Sequence, residues 1–124
     1  MQTFESGREA SLLKDIKSGA KTVEGRLAKG KFLDYQVGDH VKLRADHYNQ
    51  VGKLIKSEPN QAEVVITKIE HYPDFKTMLA GVGYLSLVPR AKDVDEALDE
   101  LYKYYTLEQE QRFGAIAIYF ELLK

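Results

Sequence analysis

The segment Gly19-Ala20-Lys21-Thr22-Val23-Glu24-Gly25-Arg26 constrains the fold most, because it joins the end of a helix to a strand that carries charge. Upstream of it, apolar residues of 11–18 recur at helical spacing, which predicts a helix there. Gly19 is the residue type that commonly ends a helix in the left-handed conformation. The β-branched pair at 22–23 favours extended backbone. The sequence therefore predicts a helix-to-strand corner at this point.

The predicted strand places its charged side chains together. Successive side chains of a strand point to opposite faces, so Thr22, Glu24 and Arg26 share one face and Val23 lies on the other. Lys21 sits at the corner itself, where its flexible side chain can reach back over the charged face. We therefore expect Lys21, Glu24 and Arg26 to be neighbours.

These residues form the pattern Gly-x-Lys-x-x-Glu-x-Arg, and with it the chain resembles the ASCH domain, a branch of the PUA-like β-barrels. The turn Val37-Gly38-Asp39 before a strand and a last strand entered through Gly114 strengthen the resemblance. It implies one ASCH domain over residues 1–124. The implied fold is α+β, a small mixed β-barrel with an N-terminal helix and further helices packed on its outside. It also implies a cleft that faces nucleic acid.

The charged set has one interpretation as a binding site for RNA or a nucleotide-like ligand. Arg26 offers a two-pronged fork to a phosphate or a base edge, and Lys21 offers a point charge. Glu24 can accept from an exocyclic amine or orient Arg26. The sequence then predicts a cleft lined by these three residues.

Two alternatives remain open for the same residues. In an enzyme, Lys21 with a lowered pKa could act as base or nucleophile while Glu24 moves a proton, as in a ribonuclease or an amidohydrolase on a modified nucleoside. In a purely structural role, Glu24 and Arg26 would only hold the corner together.

The resemblance bears on which of these activities the motif favours. Some bacterial members are amidohydrolases acting on acetylated cytidine, with a Lys, a Thr three residues later and a distant Glu. Lys21 matches the first position, but Glu24 stands at the second and residues 81–86 contain no carboxylate. The form Val23-Glu24-Gly25-Arg26 is closer to the coactivator-type members, whose domain is thought to bind nucleic acid.

Charge is polarised along the chain. Residues 1–56 hold 11 Lys and Arg against 7 Asp and Glu, and residues 57–124 hold 7 against 12. The net charge of −1 argues against binding nucleic acid over the whole surface. A local basic groove is one interpretation of the first half, and ordinary solvated surface charges are the other. The groove would gather the following side chains: Arg8, Lys14, Lys17, Lys21, Arg26, Lys29 and Lys31.

Bases of RNA are commonly bound by stacking on aromatic rings, and the chain has eight Tyr and five Phe. Most of these rings are expected in the core. Tyr35, Tyr48 and Tyr84 lie in loop-like contexts, so they are the better stacking candidates. Of the cluster at 102–105, Tyr102 or Tyr104 is expected to be exposed beside the cleft.

The predicted binding set combines the charged motif with flanking cations and rings: Lys21, Glu24, Arg26, Lys29, Lys31, Tyr35 and Tyr84. RNA or a nucleotide-like ligand is the expected partner. An acidic helix predicted over 93–105 suggests a protein partner as a third possibility.

Several classes of protein are not expected. The chain has no Cys, so disulfides and thiolate metal sites are excluded, and its three His are scattered. We expect no metal and no cofactor. The first residues lack an apolar leader and the longest apolar run is too short to cross a bilayer, which predicts a soluble cytoplasmic protein with no membrane contact.

Local patterns predict the remaining elements. Strands are expected at 40–44, 62–72 and 115–122. Short helices are expected after Asp74 and Thr106, each of which can cap a helix N-terminus. Residues 46–61 contain both apolar and turn-forming residues, and we interpret them as a mobile hairpin or a rim loop.

Overall fold

The computed structural model describes residues 1–123. Its five strands are β1 (Thr3–Glu9), β2 (Val23–Leu27), β3 (His40–Tyr48), β4 (Leu54–Tyr72) and β5 (Ala115–Leu122). Its five helices are α1 (Ala10–Lys17), α2 (Phe75–Val82), α3 (Tyr84–Leu87), α4 (Val94–Tyr102) and α5 (Leu107–Phe113). A single 3-10 turn covers Gly30–Leu33.

All five strands form one sheet in the order β1-β3-β4-β5-β2. The β1–β3 pair is parallel, and the other three pairs are antiparallel. The sheet curls into a half-barrel with helices packed against it. The predicted α+β class, with a small curled mixed sheet and helices packed against it, is thereby confirmed.

The two edge strands of the half-barrel approach each other at the charged motif. β1 and β2 are joined in sequence by α1, and they make no ladder with each other. Arg8 at the end of β1 instead donates from Nε to Glu24 Oε2 on β2, over 3.0 Å. Side chains rather than backbone hydrogen bonds therefore connect the two edge strands at this end of the half-barrel. Polar side chains consequently lie at the opening between β1 and β2.

Apolar side chains bury on both faces of the sheet. One core lies between α1 and the sheet and includes Leu13, Ile16 and Ile66. The other lies between β2, β5 and the helices α2 to α4, and centres on Phe75 and Met78, which are fully buried. β2 contributes its apolar face to this second core, so its charged face points the other way.

The local signals in the sequence place the helix N-termini correctly, whereas the acidic helix predicted to reach residue 105 ends at Tyr102. Asp74 accepts from the Thr77 amide, Asp93 accepts from the Glu96 amide, and Thr106 forms a complete capping box with Gln109. Gly19 adopts a φ of +83°, as the helix-to-strand corner requires. β5 spans 115–122 and is buried along most of its length, as predicted.

Two regions differ from the prediction. β1 was not expected, because its sequence Thr-Phe-Glu-Ser-Gly-Arg-Glu has little apolar content, and the strand exists through its parallel pairing with β3. Residues 46–61 form a hairpin, but its arms are regular extensions of β3 and β4 rather than a rim loop. The strand accommodates Pro59 and Asn60 through a register shift between Leu43 and Ala45 of its partner.

Gly25 lies on the core face of β2, between the two charged residues of the motif. A Cβ atom there would meet Met78 Cε at 2.7 Å and Leu87 Cδ1 at 2.9 Å, and both neighbours are buried. We expect Gly25→Val to lower the free energy of unfolding by about 1–3 kcal/mol through overpacking. Chemical denaturation would measure it. Gly52→Val is the control. Gly52 lies at a hairpin turn with a φ of +82° and has open space around it, so this substitution introduces backbone strain without overpacking.

Candidate functional site

A cleft of ≈ 960 Å³ opens where the two edge strands meet. Its walls come from α1, the ends of β1 and β2, the segment 87–91, α4 with the residues after it, and the tip of the β3–β4 hairpin. Residues that are far apart in sequence thus surround one concave surface.

Glu24 lies at the centre of the charged floor of this cleft. Its carboxylate is 3.0 Å from Arg8 Nε, 3.4 Å from Arg26 Nε and 4.0 Å from Lys21 Nζ. All four side chains are largely buried, and Arg26 is the most exposed at 24%. Three cations therefore share one carboxylate, which leaves the floor with an excess of two positive charges.

Backbone contacts of the helix-to-strand corner position Lys21. Its amide donates to the Asp15 carbonyl at the end of α1, and the next amide, of Thr22, donates to the Ser86 carbonyl on α3. The Lys21 ammonium donates to the Leu87 carbonyl over 2.6 Å. The lysine is thereby held between α1 and α3 with its charge against the cleft floor.

The electrostatics of the floor follow from burial and from these neighbours. Burial alone would raise the pKa of Glu24, but Arg8, Lys21 and Arg26 together lower it to about 2. Burial lowers the pKa of Lys21, and the nearby Arg8 and Arg26 add to that effect, against the attraction of Glu24. Burial also lowers the pKa of Arg8. Glu24 is thus fully ionised at neutral pH.

Arg26 presents its guanidinium along the cleft wall. Its Cζ lies 5.2 Å from the centre of the Phe32 ring, and Nη1 donates to the Tyr105 hydroxyl over 3.4 Å. The Nε atom is buried without a hydrogen bond of good geometry, although Glu24 is close. Arg26 is therefore oriented by an aromatic ring and keeps hydrogen-bonding capacity beyond its contacts within the protein.

Aromatic rings stand at the rims of the cleft. Tyr48 lies at the hairpin and is 48% exposed, whereas Tyr104 follows α4 and is 61% exposed. Tyr105 lines the cleft beside Tyr104, at 6.4 Å between ring centres. The exposure expected for Tyr104 is observed, while Tyr102 instead donates to buried Glu110.

Tyr35, expected from its loop-like context to be a stacking candidate, is not available for stacking. Its ring is buried and packs on Phe4 and Phe32, at 4.7 and 5.5 Å between centres. The 3-10 turn that precedes Tyr35 folds this stretch over the end of the half-barrel, which short-range sequence patterns do not reveal. Tyr84 is half-buried against the second core, and its hydroxyl donates to the Lys92 carbonyl.

The predicted basic groove is smaller than expected. Only Arg8, Lys21 and Arg26 of its seven members line the cleft. Lys29 lies over the Phe113 ring, and Lys31 contacts the Glu5 carbonyl. The remaining lysines, on α1, are exposed outside the cleft. The structure therefore places the Lys21, Glu24 and Arg26 set in the cleft, whereas the flanking lysines, Tyr35 and Tyr84 do not line it. Tyr35 instead lines a small cavity inside the half-barrel together with Arg8 and Glu24.

The sequence predicted Arg8 only as one of seven cations of a basic groove and not as a neighbour of Glu24, yet it is the closest cation to Glu24. The order of the residues offers one signal, because Arg8 lies just before α1 and Lys21 just after it. A short helix that joins the two edge strands brings the residues on either side of it to the same end of the half-barrel. Tyr105, which the sequence did not predict at the site, also lines the cleft. Both placements depend on contacts between distant segments.

Among residues 1–123, no group of three or more His, Asp or Glu side chains is placed to hold a metal ion. Within the same residues, no helix has the length and apolar character needed to cross a membrane.

The curled half-barrel sheet with several helices packed against it is a PUA-like fold. The ASCH domain model matches residues 9–124, and the chain belongs to that family. ASCH domains are generally thought to bind RNA. A search of curated proteins found no match.

Solved structures share the fold. The hypothetical protein PH0355 is 26% identical with a TM-score of 0.82, over 99% of this chain and 100% of its own. Protein PF0455 from Pyrococcus furiosus is 26% identical with a TM-score of 0.77, over 100% and 99%. The ASCH domain from Lactobacillus crispatus is 13% identical with a TM-score of 0.61, over 98% and 79%, which shows the fold alone.

Proposed function

We propose that this protein binds RNA or a nucleotide-like ligand in the cleft, through the floor formed by Lys21, Glu24 and Arg26 together with Arg8. The observation that carries the proposal is the excess of two buried positive charges at the bottom of the cleft. A buried charge is costly unless it is paired, so this floor favours an anionic group of the ligand. The cleft volume of ≈ 960 Å³ falls within the range of small-ligand sites.

The roles of the residues follow from their contacts. Arg26, the most exposed of the three cations, would give its fork to a phosphate, with Lys21 adding a nearby point charge. Glu24 with a pKa of about 2 stays ionised, so it accepts a hydrogen bond from Arg8 and holds Arg26 by an ion pair. The exposed rings of Tyr48 and Tyr104 would stack on bases at either rim.

Arg26→Ala is expected to weaken binding of a fluorescein-labelled single-stranded RNA by roughly ten- to a hundred-fold, because one charge-assisted hydrogen-bonding group is lost. Fluorescence anisotropy at 50 mM salt would measure the dissociation constant. Lys42→Ala removes an exposed cation outside the cleft and is the matched control, expected to bind like the wild type. Equal affinities for both variants would contradict the proposal.

The lowered pKa of Lys21 favours one second candidate, a hydrolase that acts on RNA or a modified nucleoside in the same cleft. A neutral lysine amine can serve as base or nucleophile. Glu24 would orient Lys21 rather than move a proton, since its pKa of about 2 keeps it deprotonated. Incubation with RNA and with acetylated cytidine tests this candidate. Product from the wild type but not from Lys21→Ala would establish it, and binding without product would exclude it for these substrates.

A further inference from the structure

The cleft is not a basic channel, although its floor is cationic. Four cationic side chains line it: Arg8, Lys21, Arg26 and Arg90. Five carboxylates line it as well: Glu9, Asp15, Glu24, Glu96 and Glu100. The lining as a whole therefore carries a net charge of −1. A polyanionic strand passing through it would have to place phosphates beside carboxylates.

The two signs of charge occupy different parts of the cleft. The excess cations surround Glu24 on the floor, at the ends of β1 and β2. Glu96 and Glu100 belong to α4, which forms another wall. Arg90 does not neutralise that wall, because it pairs with Asp15 on α1 at 3.2 Å. Glu96 has no salt-bridge partner among the described residues, whereas Glu100 pairs with Lys103.

Resting on the proposed function, we infer that the ligand is a single nucleotide with one terminal phosphate and an amino-bearing base. The phosphate lies on the cationic floor, and the base lies toward the acidic wall of α4. A free nucleoside monophosphate and the phosphorylated end of a strand share this chemistry. An internal stretch of RNA lacks it.

The charge on the floor matches one phosphate monoester. Such a group carries about −1.5 to −2 at neutral pH, close to the excess of two positive charges around Glu24. A second phosphate, in an adjoining nucleotide, would find no further excess cation among the residues of 1–123 that line the cleft. The floor thus selects a single terminal phosphate over a chain of phosphodiesters.

The acidic wall favours a base that donates hydrogen bonds. Ionised carboxylates are acceptors only, and the exocyclic amines of cytosine, adenine and guanine are donors. Uracil presents carbonyl oxygens in the place of that amine, which would face Glu96 unfavourably. Tyr104 and Tyr105 line the cleft together with this wall and supply the aromatic contact.

Isothermal titration of the full chain with CMP, UMP, cytidine and a 5′-hydroxyl RNA 12-mer tests the inference. We expect CMP to bind at least ten-fold more tightly than UMP or cytidine. Raising salt from 50 to 200 mM should weaken CMP binding by less than about ten-fold, whereas a single strand with six or more phosphate contacts would lose about three-hundred-fold or more. A 5′-phosphorylated trinucleotide that begins with C distinguishes a free nucleoside monophosphate from the phosphorylated end of a strand as the natural ligand. It binds more tightly than CMP only if the site takes strand ends.

Variants of the wall provide an independent measurement. Glu96→Gln is expected to reduce the preference for CMP over UMP, because an amide can donate to a uracil carbonyl. Glu96→Lys is expected to raise the affinity for the 5′-hydroxyl 12-mer and to steepen its salt dependence. Glu108→Lys makes the same charge change on an exposed position of α5 outside the cleft, and is expected to leave both quantities unchanged.

The outcomes separate this inference from the proposed function. Tight binding of the 5′-hydroxyl 12-mer with steep salt dependence, without binding of CMP, overturns the inference and leaves RNA binding intact. Equal binding of CMP and UMP overturns the placement of an amino-bearing base against the acidic wall of α4. Failure of every probe to bind removes the proposed function, and the inference with it.

Discussion

Replacing Glu24 by Gln is expected to lower the free energy of unfolding by about 3–5 kcal/mol, the usual cost of removing one partner from a buried ionic cluster. Arg8, Lys21 and Arg26 would then surround a neutral amide, and their mutual repulsion would be uncompensated. Gln has nearly the same volume as Glu, so a cavity does not contribute. Denaturant unfolding followed by circular dichroism would measure the change.

Glu121→Gln is the matched control, since it makes the same substitution at an exposed position of β5. Its expected effect is within about 0.5 kcal/mol. Added phosphate should raise the melting temperature of Glu24→Gln more than that of the wild type, because an anion can replace the missing carboxylate at the floor. A Glu24→Gln protein as stable as the control would show that the cluster does not need its carboxylate.

Acid is expected to destabilise the wild type through the same residue. The pKa of Glu24 is about 2 in the folded protein and about 4.5 when its neighbours are absent. Between these two values the unfolded chain takes up a proton that the folded protein does not, so the stabilisation falls as the pH falls. The full contribution, roughly 3 kcal/mol, is present above pH 4.5 and is lost progressively towards pH 2.

A comparison of the wild type with Glu24→Gln separates the contribution of Glu24 from those of other carboxylates with lowered pKa values, such as Asp39 and Asp74. The difference in the free energy of unfolding between the wild type and Glu24→Gln should shrink as the pH falls from 7 to 2. A difference that stays constant across this range would mean that the three cations do not lower the pKa of Glu24.

Much of the local structure could be predicted from the sequence. Three helix N-termini follow from the capping side chains of Asp74, Asp93 and Thr106. Each of these side chains accepts from an amide only three residues further along the chain. The alternation of β2 follows from the two-residue period of any strand, and it places Glu24 and Arg26 on the face opposite Val23. These features depend on short-range geometry, so the amino-acid order was sufficient to predict them.

The less accurate predictions concerned segments whose conformation depends on distant partners. β1 has a polar sequence and is a strand because β3 lies beside it. Tyr35 looks like a loop residue, yet Phe4 and Phe32 enclose its ring. The lysines at 29 and 31 follow the motif closely in sequence, but the turn at Gly30–Leu33 carries them away from the cleft.

By itself the sequence determined the corner at Gly19, the alternating face of β2 and the identity of the charged motif. Only the tertiary structure decided that Arg8 would be the nearest cation to Glu24, and that the carboxylates of α4 would stand across from it. The physical reason is that helix caps and strand alternation are set by neighbouring residues. The balance of charge in a cleft is instead set by the curl of the sheet, which brings together the edge strands and a helix from the other half of the chain.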